Sequence, residues 1–215
     1  MNDLKELVEA LQLTKFHLLG HSFGGIVAYE YSAQHHSGKC LSLTLDSTPS
    51  DMQMSLDEVS RLEDEVRSLL ILEEDEEGNE KPQNISKLVQ DRLRRRNECR
   101  IDVMPDSLAT AIESRGTTFV PESVADYVAH APSSHALPPT LCIRGQYDFV
   151  TEKCIQGWRA IFTQESESKE NSSSSHQRTS SYREEELSNC AHYCHLEDAK
   201  SFSELVKGHC FVHDY

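Results

Sequence analysis

The chain has 215 residues, a formal net charge of −15 at pH 7 and a sequence pI of about 5.1. This acidic balance argues against a nucleic-acid partner, because phosphate contacts need a basic surface. No apolar run approaches the roughly 20 residues of a membrane span, which argues against a membrane partner. The seven cysteines show no disulfide-framework spacing, and the first residues carry no secretory or transit signature. We therefore expect reduced thiols and a cytoplasmic protein.

The first part of the chain alternates between helical and strand patterns. Apolar residues at helical spacing predict an amphipathic helix over residues 2–13. A short apolar run over 16–20 predicts a buried strand, a helix follows over 23–36, and 40–45 predicts the next strand. Strand, helix and strand with short links form a βαβ unit, which implies a parallel sheet with a right-handed crossover.

The pattern changes between residues 50 and 137, where no convincing strand is found. Helical spacing predicts four helices, over about 56–70, 85–96, 105–114 and 122–130. A helical insertion that interrupts a parallel sheet is typical of a cap or lid.

The sheet pattern resumes after residue 137. We predict a strand (140–145), a helix (152–163), an edge strand (184–188), a turn (189–195) and a closing helix (196–207). A stretch rich in Ser, Glu and Asn predicts a disordered surface loop over 165–183. The chain thus divides into a first core part (1–49), a helical cap (50–137) and a second core part (138–215).

The pattern Gly-x-Ser-x-Gly occurs where the first strand meets the following helix, and its serine is Ser22. A nucleophilic serine at such an elbow sits on a tight, strained turn that exposes its hydroxyl. We expect Gly20 and Gly24 to remove side chains that would collide across the turn. The backbone N–H of Phe23, at the helix start, is the predicted oxyanion donor.

Ser22, Asp148 and His192 follow one another as nucleophile, acid and base, each after a predicted strand. This order is that of the α/β-hydrolase arrangement. The histidine activates the serine hydroxyl, and the carboxylate orients and stabilises the imidazole. His195 is a rival for the base, and Asp46 is a weaker rival for the acid.

A zinc site is the alternative interpretation of the turn predicted over 189–195. Its Cys190, His192, Cys194 and His195 are residue types that bind zinc. Their spacing is too compressed for a zinc ribbon or finger, and only loose candidates around residues 209–213 could complete a site. The sequence therefore favours the triad, with no metal.

Three blocks make the chain resemble the proline iminopeptidase branch of the α/β-hydrolases. They are the elbow with its helix and next strand (20–45), the cap block Glu-Cys-Arg-Ile-Asp-Val-Met-Pro-Asp (98–106), and the acid and histidine blocks (144–151 and 191–198). The cap block is similar to the family's Cys-Arg-Leu-x-x-x-Pro-[Asp/Glu] segment. The final block resembles Gly-His-x-x-x-x-Glu-Asp, which places the family's histidine at His192.

The resemblance implies a serine aminopeptidase that needs no cofactor and cleaves a small N-terminal residue, often proline, from peptides or amides. It also identifies two substrate-binding positions. Phe149 stands where the family carries an acidic residue for the substrate's amine, and Glu122 lies in a segment similar to another acidic site. The phenylalanine leaves a simple ester or amide substrate as an alternative.

Members of this branch begin with several strands and a His-Gly-Gly-Pro loop that supplies part of the oxyanion hole. This sequence starts at the helix before the elbow. The resemblance therefore implies the C-terminal part of an α/β-hydrolase fold, with a mainly parallel sheet flanked by helices and without the N-terminal strands. A catalytically weak module that acts in protein interaction is the competing interpretation.

Overall fold

The structure is a computed structural model that describes residues 2–35, 38–77, 85–115, 124–132, 137–170 and 182–214. Its centre is a four-stranded sheet in the order β1-β2-β3-β4, and every neighbouring pair is parallel. The strands are β1 (Phe16–His21), β2 (Cys40–Asp46), β3 (Thr140–Gly145) and β4 (Tyr182–Leu187). The predicted parallel sheet is confirmed, and all four carboxyl ends lie along one edge.

Helices flank this sheet and fill the segment between β2 and β3. They are α1 (Asn2–Ala10), α2 (Phe23–Gln34), α3 (Met52–Glu77), α4 (Ile85–Leu93), α5 (Asp106–Arg115), α6 (Glu152–Glu170), α7 (Cys194–Glu197) and α8 (Ala199–Val212). A π-helix, Arg94–Glu98, continues α4 directly. Within the described ranges, no helix has both the length and the apolar character needed to cross a membrane.

The core lies on both faces of the sheet, because successive side chains of β3 point to opposite sides. Cys142 belongs to a large cluster with residues of β2, α2, α3 and α6, including Trp158, which is fully buried. Leu141 and Ile143 pack on the other face against α8. Trp158 Nε1–H also donates to the Thr48 carbonyl at 2.8 Å, which ties α6 to the end of β2. All seven cysteines are free thiols, as expected.

Two local expectations are wrong. β1 was expected to be buried, but Leu19 is 44% exposed because β1 lies at the edge of the described sheet. The helix predicted over 122–130 is not formed in its described part, 124–130. Its backbone pairs instead with residues 50–52, through Met52 N–H to the Tyr127 carbonyl and Ala129 N–H to the Ser50 carbonyl.

The predicted loop over 165–183 is shorter than expected at both ends. α6 continues to Glu170, since Gln, Glu and Lys are good helix formers, and β4 begins at Tyr182. The remaining residues, 171–181, lie outside the described part of the chain.

Candidate active site

The elbow predicted at Ser22 is a strand–turn–helix junction. β1 ends at His21, α2 begins at Phe23, and Ser22 between them has φ 53° and ψ −122°. A residue with a β-carbon adopts this backbone conformation only under strain, on the order of 1–3 kcal/mol. The Ser22 N–H donates to the Asp46 carbonyl at 2.8 Å, and the Ser22 carbonyl accepts the Gly25 N–H at 2.9 Å. The strained turn is therefore held by both β2 and α2.

The two glycines of the motif contribute unequally. A β-carbon on Gly20 would overlap the Gly24 carbonyl, so the close approach of β1 and α2 requires glycine at position 20. A β-carbon on Gly24 would meet no atom of the described residues within 4 Å. The expectation that Gly24 also prevents a collision is wrong, because that position faces open space.

Two of the predicted residues, Asp148 and His192, are in direct contact. His192 Nδ1 lies 2.9 Å from Asp148 Oδ1, and the two side chains are 0% and 3% exposed for Asp148 and His192. The same oxygen accepts the Val150 N–H at 2.8 Å, which orients the carboxylate. Because a carboxylate accepts, Nδ1 carries the hydrogen. In the neutral imidazole, Nε2 then keeps the lone pair that a general base needs.

The loop that carries His192 packs against the end of β3. Tyr147 N–H donates to the Cys190 carbonyl at 2.8 Å. A β-carbon on Gly145, the last residue of β3, would overlap the carbonyls of Cys190 and Ala191. Glycine at this position lets the histidine loop approach the acid's strand, a requirement that sequence reasoning missed.

His21 connects the histidine loop to the elbow. Its Nε2 donates to the His192 carbonyl at 2.9 Å, and the two ring centroids are 4.8 Å apart. Since His21 immediately precedes Ser22, this bond brings His192 to the elbow. Burial, followed by the neighbouring His192, lowers the pKa of His21 to about 4. Among the described residues no hydrogen bond joins His192 to the Ser22 hydroxyl, a bond that is often long in the absence of substrate.

The rival acid and the rival base pair with each other. His195 Nδ1 lies 2.8 Å from Asp46 Oδ2, and the Cys194 thiol donates to Asp46 Oδ1 at 3.0 Å. Asp46 ends β2 and is 0% exposed. The sequence placed Asp46 and His195 only as alternatives to Asp148 and His192, and it missed that they form a pair of their own.

The potential metal ligands group differently from the set considered in the sequence. Cys190 and Cys194 lie in the apolar cluster of β3 and α8, and His192 is bonded to Asp148. In the described part of the chain, the ligand atoms that come together belong instead to His21, Asp46 and His195.

Phe23 and Phe149, the other predicted site residues in the described part of the chain, lie at or near this centre. Phe23 opens α2, so its backbone N–H has no acceptor within the helix. Phe149 is 3% exposed and stacks on the His192 ring, with centroids 4.1 Å apart. Glu122 lies outside the described residues. Beside Phe23, a cavity of about 650 Å³ lies between α2 and the 124–130 segment, lined mainly by apolar side chains such as Ile26 and Val128.

The π-helix connects the predicted cap to the loop that carries Asp148 and to the loop that carries His192. Asn97 is buried and donates from Nδ2 to the Tyr147 carbonyl at 2.7 Å, next to Asp148. The Glu98 carbonyl accepts the Tyr193 N–H at 3.2 Å, next to His192. The Arg100 guanidinium lies 4.1 Å from the centre of the Tyr147 ring. The cap block (98–106), which carried part of the family resemblance, therefore contacts the loops of both Asp148 and His192.

A family model described as the alpha/beta hydrolase fold matches residues 2–199. The chain belongs to the α/β-hydrolase fold family. Membership of this family, together with the parallel sheet flanked by helices, supports a function as a hydrolase. No curated protein sequence matches the chain.

Several solved structures are similar to this α/β-hydrolase over most of their length. VinJ has a TM-score of 0.74 at 19% identity, covering 98% of this chain and 71% of that one. A proline iminopeptidase from Mycobacterium smegmatis has a TM-score of 0.67 at 17% identity, covering 99% and 70%. An esterase from Exiguobacterium antarcticum has a TM-score of 0.51 at 19% identity, covering 96% and 70%. At these identities the likeness shows the fold.

Proposed function

We propose that this α/β-hydrolase is a serine hydrolase that forms an acyl-enzyme on Ser22. The observation that carries the proposal is the buried bond between Asp148 and His192, held beside a strained serine elbow. Neither feature is needed for a sheet to pack, and the strain costs stability. A strained serine, a buried acid–histidine pair and an open helix N-terminus at one sheet edge are the parts that acyl transfer requires.

In the proposed reaction, Ser22 Oγ attacks the substrate carbonyl carbon and His192 Nε2 takes the hydroxyl proton. Asp148 stabilises the imidazolium that results. The oxyanion receives a hydrogen bond from the Phe23 N–H at the start of α2, where the helix dipole also favours negative charge. The C–N or C–O bond to the leaving group then breaks, and His192 returns the proton to that group. Water activated by His192 hydrolyses the acyl-enzyme in the same way.

For the substrate, we propose a peptide or amide with a small N-terminal residue, as in the proline iminopeptidase branch that the chain resembles. The cap block supports this choice, because it is the feature that separates the branch from other α/β-hydrolases and because it contacts both functional loops. Glu122 is the proposed partner of the substrate's free amine.

A carboxylic ester is the second candidate substrate, and a specific observation favours it. Phe149 occupies the position after the acid, where an acidic residue would hold an amine, and its ring lies against His192. The cavity beside Phe23 has a mainly apolar lining that suits an acyl chain, and the carboxylates of Glu30 and Asp126 also lie in that lining.

A fluorophosphonate probe tests the serine mechanism directly. We expect stoichiometric labelling of the folded protein and its loss in Ser22→Ala. Ser203→Ala, which changes a partly exposed helical serine on α8, serves as the matched control and retains labelling. If the folded protein is not labelled, or if Ser22→Ala is labelled equally, the proposal is wrong and the interaction-module interpretation is favoured.

A matched substrate panel tests the substrate class. Aminoacyl amides are compared with the same amides N-acetylated and with simple acyl esters. An aminopeptidase cleaves the free-amine set and loses activity on acetylation, and Glu122→Gln then raises KM for that set alone. Preference for the esters, with no effect of Glu122→Gln, supports the second candidate.

A further inference from the structure

Two imidazoles and a carboxylate converge beside the elbow, outside the Asp148–His192 pair. His21 and Asp46 lie opposite each other at the last register position of β1 and β2. His195 comes from α7, 149 residues beyond Asp46 in the sequence. One ligand atom from each of the three lies within 4.8 Å of the others.

The His21 ring is held in the orientation of a metal ligand. Its Nε2 is 2.9 Å from the His192 carbonyl oxygen, which can only accept, so Nε2 carries the hydrogen. The lone pair of the neutral ring is then on Nδ1. A ligating histidine in a metalloprotein characteristically donates its other N–H to a carbonyl or carboxylate, which fixes its tautomer.

His195 approaches the carboxylate directly. Its Nδ1–H donates to Asp46 Oδ2 at 2.8 Å, a separation close to that of two ligand atoms on one ion. An ion held by both atoms takes the place of this hydrogen, and Nε2 then carries the ring hydrogen. The side chain of His195 is 29% exposed, whereas that of Asp46 is 1% exposed. An ion from solvent therefore reaches the group through His195, while the buried carboxylate provides negative charge behind it.

We propose that His21, Asp46 and His195 form a binding site for a divalent transition-metal ion, for which zinc is the best fit. Imidazole nitrogen and carboxylate oxygen are zinc ligands at bonds of about 2.0–2.2 Å. Ligand atoms on one such ion are separated by about 3–4 Å, so groups already within 4.8 Å need only small side-chain rotations. Water completes the coordination.

A metal at this position ties together three distant parts of the chain. It joins the ends of β1 and β2 to the first turn after the histidine loop, next to Tyr193 and Cys194. An ion that binds the folded state alone raises its stability by mass action. The site therefore acts as a clamp that holds the histidine loop on the elbow, and its effect is measurable without any assay of hydrolysis.

The test is titration of tag-free protein with zinc, followed by calorimetry and by the thermal unfolding midpoint. We expect saturation at one ion per chain and a rise in Tm, with affinity reduced by about tenfold or more in His195→Gln and in His21→Gln. The circular dichroism spectrum and metal-free Tm of each variant establish that it is folded.

Two controls separate this site from other zinc-binding modes. His192→Ala retains binding, because the bond to His21 comes from the backbone carbonyl and the ring is not a ligand. His213→Ala, at the remote His209–His213 ring pair, also retains binding. The absence of saturable binding overturns the site. So does binding that survives in His195→Gln and His21→Gln but is lost in His192→Ala or His213→Ala.

Discussion

Two aspartate–histidine pairs stand side by side at the carboxyl edge of the sheet, and they differ in burial and in position. Asp148 and His192 are both buried, and the His192 ring is enclosed between Phe149 and His21. In the second pair, Asp46 is buried but His195 is 29% exposed. The same chemical pair is thus enclosed in one case and open to solvent through its histidine in the other.

Substitution of the two histidines tests whether the two pairs have different roles. We expect His192→Ala to lower the rate of fluorophosphonate labelling by at least about 10³-fold, because the serine loses its general base. His195→Ala lowers the rate by less than about tenfold, since its ring is bonded to the other carboxylate. Equal losses in the two variants would contradict the assignment of His192 as the base.

The aspartates test the same distinction from the acid side. Asp148→Asn keeps the shape of the side chain but lets the amide hydrogen-bond to the wrong tautomer of His192. We expect labelling to fall by about 10³–10⁴-fold. Asp46→Asn disturbs only the second pair, so labelling falls by less than about tenfold. A larger loss in Asp46→Asn would mean that the acid follows β2 instead of β3.

The sequence predicted which residues lie at this site better than it predicted which of them contact one another. Alternating and continuous apolar runs predicted β1, β2 and β3, and β4 overlaps the edge strand predicted over 184–188. The order of Ser22, Asp148 and His192 placed a serine, an acid and a histidine at the carboxyl edge of the sheet. Asp46 and Asp148 follow neighbouring strands, and His192 and His195 lie three positions apart. Chain order alone therefore could not decide which aspartate contacts which histidine. That pairing depends on the approach of the histidine loop to Gly145, a contact between distant segments.

The incorrect secondary-structure predictions in the predicted cap have the same origin. Residues 124–130 have helical spacing, but their backbone forms hydrogen bonds with residues 50–52, which no local pattern reveals. The π-helix Arg94–Glu98 follows an ordinary helical sequence. Its widened turn lets Asn97 and Glu98 form hydrogen bonds with the loops of Asp148 and His192. These are tertiary contacts, which a local sequence pattern does not show.

His209 is another buried histidine besides His192, and its bond goes to a backbone carbonyl, that of Pro139 at 3.3 Å. Burial, followed by the neighbouring His213, lowers the pKa of His209 to about 4, against 6.5 for the exposed ring. As pH falls from 6.5 to 4, the unfolded chain takes up the proton first. Stability from the neutral ring is therefore complete above pH 6.5 and is lost progressively below it.

We expect this histidine to contribute on the order of 2 kcal/mol to the loss of stability between pH 7 and pH 5. His209→Gln keeps a donor for the Pro139 carbonyl but cannot be protonated. Its unfolding free energy, from urea titrations at the two pH values, should fall less than that of the wild-type protein. Identical pH slopes for the two proteins would show that His209 is protonated in the folded state.

The contact between the predicted cap and the loop of Asp148 tests why the Asp148–His192 pair is enclosed. Asn97 donates to the Tyr147 carbonyl, directly before Asp148, so Asn97→Ala leaves a buried carbonyl without this donor and frees the acid loop. We expect kcat to fall by about tenfold with KM nearly unchanged, because Asn97 positions the acid and does not contact substrate. Arg95→Ala, on the exposed side of the same π-helix, is the matched control and should change kcat by less than about twofold. A change in KM alone would instead assign Asn97 to the substrate site, and the enclosure of the Asp148–His192 pair would then not depend on the cap.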